Sequence, residues 1–251
     1  MKLPFMSYRL LFLLAAALTL VVSSAPRMNA QGAQVAADTS TPGMIGHISH
    51  GVYISPTGMF RIQVPVLPEL GGTTTDADNG VVTFQDSVST HISVGCFAMD
   101  ATQRWTDETQ GRKDYLTNFF ATIVRQDFAQ HFPGAKMEST RFKPHLMDGA
   151  VFAYVTLPNG TMFTDRAIMS DSLPPLIAKR GNLLFVKDEH VYVISIELAE
   201  KVLERLTWDK TPEQEDDLLD QRLLDVLSKI TFAKPAHDSA SASESKTTTK
   251  P

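Results

Sequence analysis

The chain has 251 residues, 43% of them hydrophobic and 20% charged, and a formal net charge of -5. These proportions are ordinary for a globular protein, and an acidic balance without a dense Lys/Arg cluster argues against binding nucleic acid or anionic lipid through concentrated positive charge. The one cysteine, Cys96, rules out an intramolecular disulfide, so the fold must stand on its apolar core.

The chain opens with positive charge at Lys2 and Arg9, an unbroken apolar run from Leu10 to Val22, and small residues at Ser23, Ser24 and Ala25. This is the order of a secretory signal peptide, so residues 1–24 are read as a signal, with cleavage before Ala25 or near Ala30. A run of about 13 apolar residues falls short of the ~20 that span a bilayer. No stable membrane span is expected after signal removal, and the expected location is periplasmic or secreted. Residues 25–46 are small, polar and aperiodic and read as a flexible lead. From Lys234 onward no large apolar residue occurs, so 234–251 read as a disordered tail. A single domain over 47–233 remains.

Within it, Gly51–Ile54 and Phe60–Val64 are β-rich runs on either side of Ser-Pro-Thr-Gly, which predicts a hairpin. Phe60, Ile62 and Val64 share one strand face. Asp76–Gly80 is a turn-rich tip ahead of a second strand pair, Val81–Asp86 and His91–Met99, in which Ile92, Val94, Cys96 and Ala98 share a face. From Gly111 to about His131 the period changes to that of a helix, with a stripe of Leu116, Phe119, Phe120, Ile123 and Val124, and Pro133-Gly134 ends it. Strands return at Lys136–Phe142 and Gly149–Leu157, joined by Lys143–Asp148. Another is expected at Met162–Met169, and a hairpin at Leu183–Val186 and Val191–Leu198. The last helix has a cap at Thr211, Pro212 at its first position and Gln214 completing a capping box. Its buried stripe is Leu219, Leu223, Val226, Leu227 and Ile230. Hairpins, helix, strands and helix in this order imply an α+β fold, an antiparallel β-sheet with packed helices.

Tyr53, Ser55-Pro56, Gly58, Phe60, Ile62, Val64 and Pro65 resemble the opening hairpin of PsbP-like domains, and the element order over most of residues 50–233 resembles that family too. The resemblance implies a PsbP-like αβα sandwich. Most members of the superfamily are non-enzymatic accessory or binding proteins, so it also implies a binding role. It carries no functional residue over to this chain.

Cys96 lies mid-strand among apolar neighbours, so it is expected to be buried and chemically quiet. His47 and His50 have H-x-x-H spacing, with His91 as a third candidate ligand, but no complete zinc set accompanies them and they read as surface or turn residues. Ser170-Asp171-Ser172 lacks a nucleophile elbow. No phosphate loop or dinucleotide fingerprint is present. Glu213–Asp220 lacks the alternating ligands of a calcium loop and reads as acidic residues favoured at a helix N-terminus. Asn159-Gly160-Thr161 fits a glycosylation triplet but reads as a turn. Other ionisable residues are expected mainly on solvent-facing stripes and turns.

No catalytic, cofactor-binding or metal-ligating residue is therefore assigned. The expected function is that of an exported, non-enzymatic binding or accessory protein of the cell envelope or secretome, with a protein or small-molecule partner. The alternative is a secreted hydrolase whose catalytic residues are dispersed in sequence. The expected contact surface lies where hairpin loops gather, around Asp76–Gly80 and Lys143–Asp148. Intact-mass measurement of the exported protein is expected to find residues 1–24 removed; a mass beginning at Met1 contradicts the signal reading.

Overall fold

The structure, a computed structural model, describes residues 44–233 except 78–79, 127–128, 130–131, 133, 159–176 and 205. The expected signal, most of the lead, the tail and the expected strand Met162–Met169 lie outside the described residues.

Among the described residues the strands form two antiparallel sheets. The smaller has four strands in the order β1 (His47–Ser49), β2 (Val52–Ile54), β3 (Phe60–Gln63) and β11 (Ile230–Phe232). The larger has seven, in the order β4 (Thr73–Ala77), β5 (Val81–Gln85), β6 (His91–Ala98), β10 (His190–Glu197), β9 (Ile177–Lys187), β8 (Ala150–Pro158) and β7 (Lys136–Lys143). Helix α1 (Ala101–Gln110) and helix α2 (Arg112–Phe119) follow β6, and α2 continues into a π-helical turn at Phe120–Val124. Short α3 (Ala199–Leu203) follows β10, and α4 (Pro212–Ser228) precedes β11. The fold is α+β, as the element order implies.

The large sheet is covered on both faces, and its strands alternate accordingly. Val151, Ala153, Val155, Leu184, Val191 and Val193 point to a core shared with Tyr115, Leu116, Phe119 and Phe120 of the α2 segment and Val202 of α3. Phe152, Tyr154, Leu183, Phe185, Tyr192 and Ile194 point the other way. They meet Leu219, Leu223 and Val226 of α4 and Tyr53, Phe60, Ile62 and Ile230 of the small sheet. Each such large side chain contributes about 1.5–3 kcal/mol by leaving water. Aromatic rings join the sheets: Phe232 of β11 meets Tyr192 edge-on at 5.0 Å and Phe185 edge-on at 5.8 Å, and these two stack on each other at 5.3 Å between centroids.

Two helices escaped the sequence reading. Helix α1 carries no buried residue, so it has no apolar stripe to detect; its sign is the Asp100/Gln103 capping box, which the structure shows complete. Helix α3 is too short to show a period. The expected helix from Gly111 begins at Arg112, and Ile123, assigned to its stripe, is 47% exposed. The capping box of Thr211 and Gln214 is present as read.

Gly181 sets how closely α4 approaches the sheet. A Cβ there would lie 3.0 Å from Leu219 Cβ and 3.1 Å from Leu223 Cδ1. On the opposite face of the same strand, buried polar residues form a row. The Arg180 guanidinium donates to His91 Nδ1 at 3.0 Å and to Ser93 Oγ at 2.7 Å, and Ser195 donates to Asn182 Oδ1 at 2.7 Å. Burial, and then the adjacent Arg180 charge, depress the His91 pKa to about 3.

Gly181→Val is expected to destabilise the fold by about 1–3 kcal/mol, because the added atoms must push α4 off the sheet; an unchanged urea midpoint contradicts the close approach. His91 titrates near pH 6.5 when unfolded but resists protonation when folded, to about 3. Between these values the unfolded chain binds more protons, so stability falls as pH falls, by up to about 1.4 kcal/mol per pH unit. His91→Gln is expected to flatten the stability profile between about pH 6.5 and pH 5, where most carboxylates remain ionised. Denaturation across that range, with equal slopes for both proteins, contradicts it.

Candidate functional site at the hairpin end of the large sheet

The strand registers bring both expected loop regions to one end of the large sheet. Ala77 pairs with Val81, and Val81 with Gly95 near the end of β6. Ala98 pairs with His190, and His190 with Lys187 across the next turn. Phe185 pairs with Ala150, and Ala150 with Lys143. The β4–β5, β9–β10 and β7–β8 turns therefore share one end, where β6 also hands over to α1.

A cleft of about 460 Å³ opens there between α1, the start of α2 and two of the turns. Its cations are held by its own anions. Arg112 makes a bidentate pair with Asp107 at 2.7 and 2.8 Å. Arg104 donates to Met99 O at 2.8 Å and to Glu189 Oε2 at 3.2 Å, which ties α1 to the β9–β10 turn. Lys187 lies 3.4 Å from Asp188. Glu108 and Asp148 add further carboxylates to the lining. Trp105, one helical turn from Glu108 on α1, is 62% exposed.

The backbone of this cleft is unusual. Met147 (φ 50°), Asp148 (φ 58°), Asp188 (φ 48°) and Glu189 (φ 58°) all occupy the left-handed region. Asp188 and Glu189 form a two-residue hairpin turn with positive φ at both positions, a geometry that Asn-Gly adopts most readily. A side chain there costs roughly 1–2 kcal/mol per residue relative to right-handed backbone. The sequence thus places carboxylates where glycine fits more easily, at the rim of an open cleft.

The residues singled out in the sequence are dispersed. Cys96 is half-buried rather than buried: Ile92 and Val94 on its strand face are covered, but Ala98 is exposed, so the cover thins toward the strand end. Burial pushes its thiol pKa up, against a hydrogen bond from Tyr192, its cross-strand neighbour. His47 and His50 are exposed on the β1–β2 hairpin, whereas His91 is buried beside Arg180. Among the described residues no three His, Cys, Asp or Glu side chains are grouped to hold a metal ion. Ser170-Asp171-Ser172 and Asn159-Gly160-Thr161 lie outside the described residues.

The expectation that ionisable groups face solvent, and that Glu213–Asp220 merely decorates a helix start, is corrected by a buried ionic cluster. Lys179, fully buried, lies 2.7 Å from Asp216, 3.1 Å from Glu138 and 3.3 Å from Glu215. Glu138 reaches it from a β-bulge in β7, where the pairing shifts between Met137 and Ser139. Glu215 also accepts from Lys201 at 2.6 Å and from Trp208 Nε1 at 2.7 Å. Burial pushes the Glu215 carboxyl up, but Lys201, Trp208 and Lys179 together hold it below its ordinary value. Arg141 spans Asp217 at 2.6 Å and Asp220 at 3.3 Å, and Tyr154 donates to Asp220. Burial and that bond hold the Tyr154 hydroxyl far above its usual range. The cluster joins α4 to the sheet, with Lys179, Lys201 and Arg141 set among five carboxylates. Period and spacing gave no sign of it, because the partners are separated by up to 79 residues.

No family model and no curated protein matches the sequence. Among solved structures, the chain is similar to the solution structure of PsbP from Synechocystis sp. PCC 6803, with 13% identity and a TM-score of 0.42 over 79% of this chain and 99% of that one. It is also similar to the Saccharomyces cerevisiae Ran-binding protein Mog1p, with 9% identity and a TM-score of 0.43 over 72% of this chain and 94% of that one. A third likeness is to a protein of Bacteroides thetaiotaomicron VPI-5482, with 10% identity and a TM-score of 0.34 over 73% and 48% of the two chains. The first is a PsbP protein, the family that the opening hairpin resembles.

Proposed function

We propose that this protein is an exported, non-enzymatic binding or accessory protein of the cell envelope or secretome, and that a protein partner docks on the hairpin end of its large sheet. The observation that carries the reading is the pair of turns, Met147-Asp148 and Asp188-Glu189, held at positive φ around an open cleft. Strained backbone at a rim is a pattern of recognition sites, because folding alone favours its removal. The neighbouring exposed Trp105 supplies a large aromatic contact of the kind that anchors protein interfaces. His91 and Tyr154, both strongly shifted, serve clusters inside the fold rather than the cleft. Export rests on the charged start and apolar run of residues 1–24. Among the described residues, no helix is long and apolar enough to cross a membrane.

The double variant Asp188→Asn/Glu189→Gly tests the reading. It relieves the turn and is expected to stabilise the fold by about 1 kcal/mol while weakening partner capture from envelope extract at least ~tenfold. A stabilised variant with undiminished capture contradicts the docking surface. Robust hydrolysis of an ester, peptide, glycoside or phosphate substrate, abolished by one substitution that leaves the fold intact, overturns the non-enzymatic reading.

A further inference from the structure

On the other face of the large sheet, near the same end, a second cavity of about 260 Å³ lies between the sheets. Its walls include Tyr53, Phe60, Val81 and Cys96, with Pro56 of the β2–β3 turn at its side. These walls are mostly apolar and aromatic. The volume is nearly twice that of the ~150 Å³ apolar cavity that takes benzene, so it suits one aromatic ring with a short side chain.

Of the residues lining this cavity, Asp76 is the one with a charged side chain. Its carboxylate is fixed by three donors. Oδ1 accepts from the Ile45 amide at 2.7 Å, and Oδ2 accepts from the Gly46 amide at 2.6 Å and from the Tyr53 hydroxyl at 2.8 Å. Tyr53 is itself 1% exposed, and its ring packs edge-on against Phe84 at 5.9 Å, so the hydroxyl is held in place. Gly46 cannot carry a side chain here, since a Cβ would lie 2.7 Å from Ile54 O and from the Tyr53 ring. The carboxylate is thus preorganised, at the wall of an apolar cavity whose other lining residues bring no cation.

We propose that this cavity binds a small aromatic amine, its ring between the sheets and its ammonium on Asp76. Apolar walls with a single fixed anion are the arrangement that selects such a ligand: burial of the ring supplies affinity, and the carboxylate sets orientation and charge preference. The site is distinct from the cleft under α1, so its success or failure leaves the partner reading untouched.

The experiment titrates the isotope-labelled exported protein with 2-phenylethylamine, and separately with 3-phenylpropionate, which has a similar shape and the opposite charge. Amide shifts are expected to saturate at Tyr53, Val81 and Cys96 with the amine, with half-saturation at about millimolar concentration. The acid is expected to bind at least ~tenfold more weakly. Cys96→Leu, which fills the cavity, is expected to abolish the saturable shifts. Asp76→Asn, if its spectrum shows the native fold, is expected to remove the preference for the amine; if it does not fold, the two ligands on the unaltered protein decide the charge preference. No saturation by the amine up to about 20 mM, equal binding of both ligands, or shifts unaffected by Cys96→Leu overturns the proposal.

Discussion

The architecture turns on one buried ammonium. Lys179 projects from β9 into the layer between the large sheet and α4, with carboxylates from β7 and α4 around it. An ion taken out of water loses several kcal/mol of solvation, and only close, well-placed partners restore it. Lys179 therefore constrains several elements together: the bulge that delivers Glu138, the first turns of α4 that deliver Glu215 and Asp216, and α3 with the segment after it, which bring Lys201 and Trp208 to Glu215. Apolar packing of Leu219, Leu223 and Val226 would hold α4 on the sheet in several similar registers. The ion pairs around Lys179 select one of them, and the absent Cβ at Gly181 lets it seat.

The two faces of the large sheet are specified differently. The face under α2 and α3 combines an apolar core with the polar row of His91, Ser93, Arg180, Asn182 and Ser195. The face under the small sheet and α4 is aromatic at one end and ionic at the other. Buried polar groups on both faces narrow the ways in which the layers can slide, since displacement leaves hydrogen-bonding groups unpaired. A sheet locked in this way is a rigid base for its turns. This explains how backbone at Asp188 and Glu189 can be held where a free peptide would rarely go.

Much of the fold was legible in the chain because its signals are local. Ser55-Pro56-Thr57-Gly58 between two β-rich runs marked the β2–β3 hairpin, and Thr211 with Gln214 marked the start of α4. Helix α1 was not legible by period, since Ala101–Gln110 buries nothing. The loop regions of the candidate site were visible as turn residues, but the cleft depends on strand order, which no window of sequence contains. The ionic cluster was less visible still. Lys179 and Arg180 precede the expected strand Leu183–Val186, whereas β9 already begins at Ile177, and its pleat sends one toward α4 and the other toward His91, both buried. Cys96 shows the reverse: a regular apolar alternation concealed that cover runs out along β6.

The bulge at Glu138 also bears on how copies of this protein meet one another in a crowded compartment. Among the described residues, strand β7 is an outer strand of the large sheet, and Met137 on it is 40% exposed. A straight, regular strand in that position offers a ready template for a neighbouring chain, and an exposed apolar side chain would strengthen the attraction. The extra residue breaks the regular spacing of amides and carbonyls, while Lys136 and Lys143 place charge at the two ends of the strand. The irregularity that brings a carboxylate to Lys179 thus also makes the outer edge a poor seed for self-association.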